Sequence, residues 1–360
     1  MNRTKLMLLL LAGMMAGTPV QARKEKDKKQ NPQTEQSEKK KKKNGKGILF
    51  WKKKKQQAAD EQDKPEEKPQ IDRPGMFRVT KEKDEWYFLI PDSLIGREFL
   101  TTTRYTATPS NCGQFGGEQI NEQTVYFQPA PGGNLLLRSR LFINVADTAA
   151  MINKAITVSN ESPILNSFKI ESHKDSVYKI KVSPFFDSEV AGMGIPADIK
   201  QMYGLQGLHG DKSYIEDIKT FPMNTEVRMV KTYSSNSFRM PATASTGLAT
   251  FGLNISFVML PQKPMVPRHF DKRVGYFTHG YTEFSDAQQQ VQDNSFIARF
   301  RLEARPEDVA RQQAGEAVEP IKPIVYYIDP ATPKQWRKYL IQGVNDWQKA
   351  FEKAGWKNAI

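Results

Sequence analysis

Ile164-Leu165-Asn166-Ser167-Phe168-Lys169-Ile170-Glu171-Ser172, followed by His173-Lys174-Asp175 and then Val177-Tyr178-Lys179-Ile180-Lys181-Val182, is the stretch whose reading decides the fold class. Two runs rich in β-branched and aromatic residues flank a polar turn, Ser172 to Asp175, which is the pattern of a β-hairpin. In the second run Tyr178, Ile180 and Val182 alternate with Val177, Lys179 and Lys181, giving one covered face and one wet face. The texture repeats on both sides. Met76–Thr80, Glu85–Ile90, Glu98–Tyr105, Gln123–Gln128 and Asn134–Ile143 read as strands upstream, with a turn at Pro131-Gly132-Gly133-Asn134. Thr225–Tyr233, Leu248–Leu260, Val274–Thr278 and Ser295–Leu302 continue it downstream. In the last of these, Phe296, Ala298, Phe300 and Leu302 alternate with Ile297, Arg299, Arg301 and Glu303. Two helices interrupt the strands, Ala146–Lys154 and Pro196–Tyr203, the second stopping at Gly204. The pattern is mainly β: an antiparallel sandwich or open barrel over about Pro74 to Glu303, with no repeat at solenoid or propeller spacing.

After a polar link, Glu307 to Glu319, the periodicity changes. Ile324-Val325-Tyr326-Tyr327-Ile328, bounded by Pro323 and Pro330, suits a strand buried on both faces. Thr332, Pro333 and Gln335 form a helix start of the capping-box type. Trp336, Leu340, Val344, Trp347, Phe351 and Ala354 then recur at helical spacing, and Gly355 ends the run with Trp356 placed to pack on the last turn. Strand plus helix is the opening of an α/β domain, half of a βαβ unit whose apolar helix face needs a sheet to cover it.

The N-terminal residues read differently. Arg3 and Lys5 precede an apolar run from Leu6 to Ala16, then Gly17-Thr18-Pro19 and Val20-Gln21-Ala22. This is the plan of a secretory signal peptide (residues 1–22), cleaved between Ala22 and Arg23, with an apolar run too short to span a bilayer. Residues 23–70 are Lys, Glu, Gln, Asp and Pro, a composition that cannot bury enough apolar surface to offset its ordering entropy and reads as a disordered linker. The formal charge of +13 resides there: residues 23–55 hold fifteen basic and four acidic side chains, and residues 69–360 are nearly balanced at +3. Lys39, Lys40, Lys41, Lys42 and Lys43 on one side, and Lys52, Lys53, Lys54 and Lys55 on the other, flank an apolar island ending in Phe50 and Trp51. Lysines around an aromatic wedge suit an anionic membrane surface, and a solvated spacer has the same composition. Nucleic acid is not an expected partner, since no nucleic-acid fold motif accompanies the charge.

Several stretches carry a resemblance. Pro323-Ile324-Val325-Tyr326-Tyr327-Ile328-Asp329, Ala331-Thr332-Pro333, Trp336, Gly343, Trp347, Ala350-Phe351-Glu352-Lys353-Ala354-Gly355 and Lys357-Asn358-Ala359-Ile360 resemble the opening of the catalytic domain in a secreted zinc-dependent metallopeptidase family of Bacteroidota, metzincin-like in fold. Glu85-Trp86-Tyr87-Phe88-Leu89-Ile90-Pro91-Asp92-Ser93-Leu94-Ile95-Gly96-Arg97-Glu98-Phe99-Leu100 is similar to the short domain that opens those proteins, and Asp271-Lys272-Arg273-Val274-Gly275-Tyr276-Phe277-Thr278 to a stretch near the end of the next one. The resemblance implies a short N-terminal β domain at 71–108, a β-rich accessory domain at 109–305, a linker at 306–320 and the start of the catalytic domain at 321–360, both β-rich domains being of uncharacterised function. It also implies export to the periplasm or outer-membrane surface of a Gram-negative bacterium. Peptide-bond hydrolysis in the full-length protein would use Zn2+ held by a His-Glu-x-x-His helix and a further His, lying beyond residue 360. The partners implied are that C-terminal catalytic domain and a protein or peptide substrate. The alternative is a non-catalytic envelope binding module for a glycan, a protein or an anionic surface.

The residues themselves offer no catalytic or metal set and no cofactor site. His173, His209, His269 and His279 are the histidines, and none begins a His-Glu-x-x-His pattern. His269 and His279, near Glu283 and Asp286, leave a surface metal site to be weighed against solvated loop histidines. Cys112, the single cysteine, excludes an intramolecular disulfide framework and reads as a small turn residue. The glycines at 113, 116 and 117 lack the Lys-Ser/Thr of a phosphate loop, and no Gly-x-Ser-x-Gly elbow occurs. Asp329 before Pro330 reads as turn chemistry. N-terminal sequencing of the exported protein is expected to begin at Arg23; a first residue of Met1 would remove the signal-peptide reading.

Overall fold

Alternation becomes burial on β3 (Glu85–Pro91), where Trp86, Phe88 and Ile90 point inward between half-exposed neighbours. The structure, a computed structural model, describes residues 70–237 and 240–360. In chain order the strands are β1 (Ile71–Arg73), β2 (Arg78–Glu82), β3, β4 (Phe99–Ala107), β5 (Gln119–Ala130), β6 (Asn134–Ser139), β7 (Asn144–Ala146), β8 (Ile164–Lys174), β9 (Val177–Lys181), β10 (Leu205–Leu208), β11 (Tyr214–Thr220), β12 (Asn224–Ser235), β13 (Leu248–Met259), β14 (Thr278–Phe284) and β15 (Gln292–Ile297). The helices are α1 (Ile152–Ser159), α2 (Ser183–Asp187), α3 (Ala197–Met202), α4 (Pro241–Thr246), α5 (Val309–Gln313), α6 (Lys334–Asn345) and α7 (Gln348–Lys353).

One antiparallel sheet runs in the order β1-β2-β3-β9-β8-β6-β5-β4-β13-β12-β10, with β11 also paired to β12. It curls into an open barrel. Phe77, just before β2, packs its ring within 5.2–6.0 Å of Phe88 on β3, Phe99 on β4, Phe127 on β5 and Phe257 on β13, so strands far apart in the ladder share one interior. The two ends of the sheet approach one another. Arg73 on β1 pairs with Asp217 on β11 at 2.6 Å, and the Met76 N–H donates to the Phe221 carbonyl at 2.8 Å. Gly75 is required there, because a Cβ on it would lie 2.2 Å from Thr220 Oγ1.

Residues 71–108 and 109–305 build the same sheet: β3 pairs β9, and β4 lies between β5 and β13. The opening hairpin stretch forms β8 and β9, with its tip at Asp175-Ser176, both at positive φ, one step beyond the expected Ser172–Asp175 turn. Paired left-handed residues match the twist of the flanking strands, as they do at Lys83-Asp84 between β2 and β3. Lys179 lies on the wet face, paired with Glu82 at 2.8 Å and over the Tyr87 ring at 4.6 Å. Strand positions 141–143 leave the ladder, and the helix expected at 146–154 forms later, at 152–159. Pairing moves from 274–278 to β14 and ends at Ile297 on β15; with β7 these make a separate three-stranded sheet in which β7 and β14 are parallel.

The terminal segment differs most from its expected form. Residues 324–328 join no ladder; Ile324 N–H reaches the Ala359 carbonyl at 2.7 Å, while Val325, Tyr326 and Tyr327 are 59, 56 and 91% exposed. A strand needs neighbours on both edges to be covered, and none is present among the described residues. The helix starts at Lys334 with Pro333 in the cap position and no side-chain cap, so Thr332 does not serve as one. It breaks between Asn345 and Gln348 into α6 and α7. Gly355 does take positive φ, and the Trp356 N–H returns to the Phe351 carbonyl. The signal peptide, linker and anionic-surface residues, including Ala22, Arg23, Lys39–Lys43 and Phe50–Lys55, lie outside the described residues.

Replacing Phe77 by Ala removes the ring shared by four strands and leaves a cavity, an expected loss of about 3–5 kcal/mol. Urea unfolding would read this against Phe115→Ala, where the ring is already 67% exposed and little change is expected.

Candidate functional site

The strand period places a lysine inside the barrel. On β12 the inward residues are Val227, Met229, Lys231, Tyr233 and Ser235, and Lys231 is 1% exposed. Its amine meets the end of α2, donating to the Phe186 carbonyl and, at 2.7 Å, to the Ser188 carbonyl. Last-turn carbonyls have no partner within their own helix, so an ammonium is a fitting donor for them.

Around this clamp lies a polar cluster. Glu189 accepts from Lys200 Nζ at 2.8 Å and from the Tyr233 hydroxyl at 3.3 Å, and Lys200 sits 5.6 Å from the centre of the Tyr233 ring. Asp187 accepts the Ile215 N–H at 3.2 Å. Further side chains tie down the rest of the strap formed by residues 183–204: Thr103 donates to the Met193 carbonyl, Asn121 to Gly194 at 3.0 Å and Ser235 to Tyr203 at 2.7 Å. Tyr203 in turn donates its hydroxyl to the Cys112 carbonyl. The Tyr105 hydroxyl is buried beside them and has no hydrogen-bond partner among the described residues.

Burial sets the proton affinities. It pushes the Lys231 amine down to about 8, against the opposing pull of Asp187 and Glu189. Burial also raises Tyr105, with Tyr203 and Cys112 adding to it, and raises Tyr233, with Glu189 adding to it. Asp187 is raised by burial more than the Lys231 charge and the Ile215 N–H lower it. A perturbed buried lysine is a functional-site candidate on general grounds. Here its protons are directed at two carbonyls and it has no solvent access, so the arrangement holds a strap in place and does not present a nucleophile.

The histidines are dispersed. His173 Nε2 lies 2.8 Å from Asp92 and its ring stacks on Tyr178 at 3.9 Å, and His209 Nε2 lies 2.8 Å from the Ser234 hydroxyl. His269 and His279 flank Phe296 from opposite sides, which separates them by two strand spacings, about 10 Å. Glu283 is taken by Asn294. Among the described residues no group of three or more His, Cys, Asp or Glu side chains is placed to hold a metal. Cys112 is buried, its thiol directed at the Gln114 carbonyl at 3.6 Å, between the left-handed residues Asn111 and Gly113. Asp329 accepts the Ala331 N–H at 2.7 Å and so closes a turn. Sequence reasoning did not single out Lys231; its only signal was a lysine at an inward position of an alternating strand.

The fold and this strapped barrel correspond to domains defined by sequence but not by activity. Residues 68–108 match the family model described as a domain of unknown function (DUF5118), and residues 117–305 match another domain of unknown function (DUF5117). The second covers more than half of the chain, and the chain belongs to that family. No curated protein and no solved structure matches it.

Lys231 and the two tyrosines give stability a defined pH profile. Between pH 8 and the ordinary lysine value of 10.5, the unfolded chain keeps a proton on Lys231 that the folded chain has released, so stability rises with pH. Above 10.0 the unfolded chain ionises Tyr105 and Tyr233 while the folded one does not, and stability falls. The unfolding free energy from urea titrations is expected to rise by on the order of 2 kcal/mol from pH 8 to 10 and then decline. Lys231→Met is expected to lose the rise and keep the decline.

Proposed function

We propose that this chain is the non-catalytic front part of an exported zinc-dependent metallopeptidase, its strapped β-barrel preceding a catalytic domain whose first elements are residues 321–360. The observation that carries the reading is the exposure of that terminal segment. Trp336, Tyr339, Leu340, Ile341 and Trp347 are each 47–64% exposed, in line with the bare Val325, Tyr326 and Tyr327. Covering one such side chain is worth about 1.5–3 kcal/mol, so the segment is built for a surface that residues 70–360 do not provide. The histidines of this chain do not fit a zinc site, and the metal belongs in this reading to residues outside it. No peptidase activity is therefore expected of residues 23–360.

Export rests on the Arg3/Lys5 and Leu6–Ala16 pattern, and the Lys-rich residues 39–55 suit a contact with an anionic envelope surface. Among the described residues no helix is long and apolar enough to cross a membrane. A binding module finished within these residues would bury its terminal helix, and the exposed α6 does not favour that alternative.

The test is the polypeptide isolated from its native host. An intact mass well above 41.0 kDa, about one zinc per chain and slow amide exchange across 324–347 are expected, against fast exchange there in the present chain. A zinc-free product slightly below 41.0 kDa with the same fast exchange would overturn the reading.

A further inference from the structure

We propose that a cationic cleft at the junction of the β-rich body and the terminal helix binds an acidic peptide segment. The cleft has a volume of about 710 Å3, within the range of roughly 300–1,000 Å3 typical of ligand pockets. Arg268, Arg299 and Arg301 line it together with Lys353, the last residue of α7, with Leu302 and Trp356 as apolar lining.

The charge in the cleft is not internally balanced. Arg299 spends one nitrogen on the Val266 carbonyl at 2.8 Å, and Arg301 spends one on the Lys263 carbonyl at 3.0 Å, which fixes both guanidinium groups against the 263–266 strap. The two carboxylates in the lining are already taken: Glu303 by Arg301 at 2.9 Å and Glu316 by Arg311 at 2.8 Å. Arg268 and Lys353 have no ion pair or side-chain hydrogen bond among the described residues. Arg268, Arg299 and Lys353 are left without a carboxylate among the described residues, and these three cations, with the Arg299 guanidinium pre-positioned, attract a ligand with more than one negative charge.

Spacing and size choose among anions. Arginine forks match planar carboxylates, and a cleft of this volume lined by cations from two separate segments, Arg268 with Arg299 and Lys353 on α7, has room for charges repeated along a chain. The apolar lining from Leu302 and Trp356 gives the stem of a glutamate side chain a surface to lie on. Binding here does not depend on the peptidase reading, because every residue named lies within the present chain.

The test uses the full chain and a hexaglutamate peptide carrying a benzophenone, with cross-links located by mass spectrometry. Labelling is expected on Met265 and on residues 353–356. It is expected to fall about tenfold in Arg268→Glu/Lys353→Glu and to weaken steeply with salt. Both side chains are exposed and unpaired, so folding should survive; the milder Arg268→Gln/Lys353→Gln pair, expected to reduce labelling by a smaller factor, covers the case in which it does not. Three results would overturn the proposal: labelling confined to the Lys-rich residues 39–55, equal labelling by a hexaglutamine peptide, or displacement by inorganic phosphate at the concentration at which unlabelled hexaglutamate displaces the probe.

Discussion

A curled sheet of this width holds its shape only if something inside touches many strands at once, and the ring of Phe77 does so. Neighbouring strands are tied by backbone hydrogen bonds, which fix spacing and register but leave curvature free. Curvature is set by what fills the concave side. Phe77 sits against rings from β3, β4, β5 and β13, and Phe88, Phe186 and Phe257 close the same cluster from above, at centroid distances of 5.9–6.3 Å. Edge-to-face contacts of this kind add about 0.5–1.5 kcal/mol each beyond burial. Because Phe77 precedes β2 directly, packing its ring also draws β1 toward β11, where Arg73 and Asp217 meet and where a side chain at residue 75 would collide with Thr220.

The strap over residues 183–204 answers a second requirement of the same architecture. An open barrel has a mouth, and backbone crossing it brings carbonyls into a place without water. Lys231, Thr103, Asn121 and Ser235, all rooted in the sheet, donate to those carbonyls. The cost of burying the ammonium shows in its lowered proton affinity. The gain is that the Phe186 and Ser188 carbonyls at the end of α2 are both paired. Phe185 and Phe186 can then enter the core from a helix only five residues long. A short helix with no side-chain cap would not hold this position by its own propensity.

These two devices mark the boundary of what the sequence discloses. Alternation in β3 and β9, the Gly132-Gly133 turn, α3 between Pro196 and Gly204, and the stop at Gly355 are local patterns, and they were legible because each is decided by its own residues. The alternation expected over 296–303 is not realised, since β15 ends at Ile297 and Phe300 is 52% exposed. The pairing of β3 with β9 and of β4 with β13 joins segments about 90 and 150 residues apart, and no local pattern encodes such partners. Strand β11 and helix α2 were missed for the same reason. Tyr214–Thr220 alternates only weakly, and Ser-Pro-Phe-Phe-Asp becomes a helix because the barrel interior accepts its two rings. Lys231 shares its strand face with Val227, Met229 and Tyr233, whereas Lys179 and Lys181 lie on a wet face; what its amine meets inside depends on the α2 end that the sheet brings to it.

The terminal residues show the converse. Ile324–Ile328 has a stronger strand composition than β1 or β10, yet β1 and β10 pair and it does not. Composition supplies the tendency to extend, and an adjacent edge supplies the strand. The same split appears in burial. Large apolar side chains are buried repeatedly up to Phe257; beyond it Phe277, Phe300, Tyr327, Trp336 and Trp347 are all more than half exposed, although the chain is no less aromatic there. The family match ends at residue 305, close to where the three-stranded sheet gives way to the link. Apolar residues at helical spacing on α6 and at strand spacing before it are a consistent pair of faces, drawn for one another and for further strands. In the reading proposed above, the surface that these faces call for is a sheet with room for residues 324–328 at an edge and for Trp336, Leu340 and Trp347, each 47–64% exposed, across its surface.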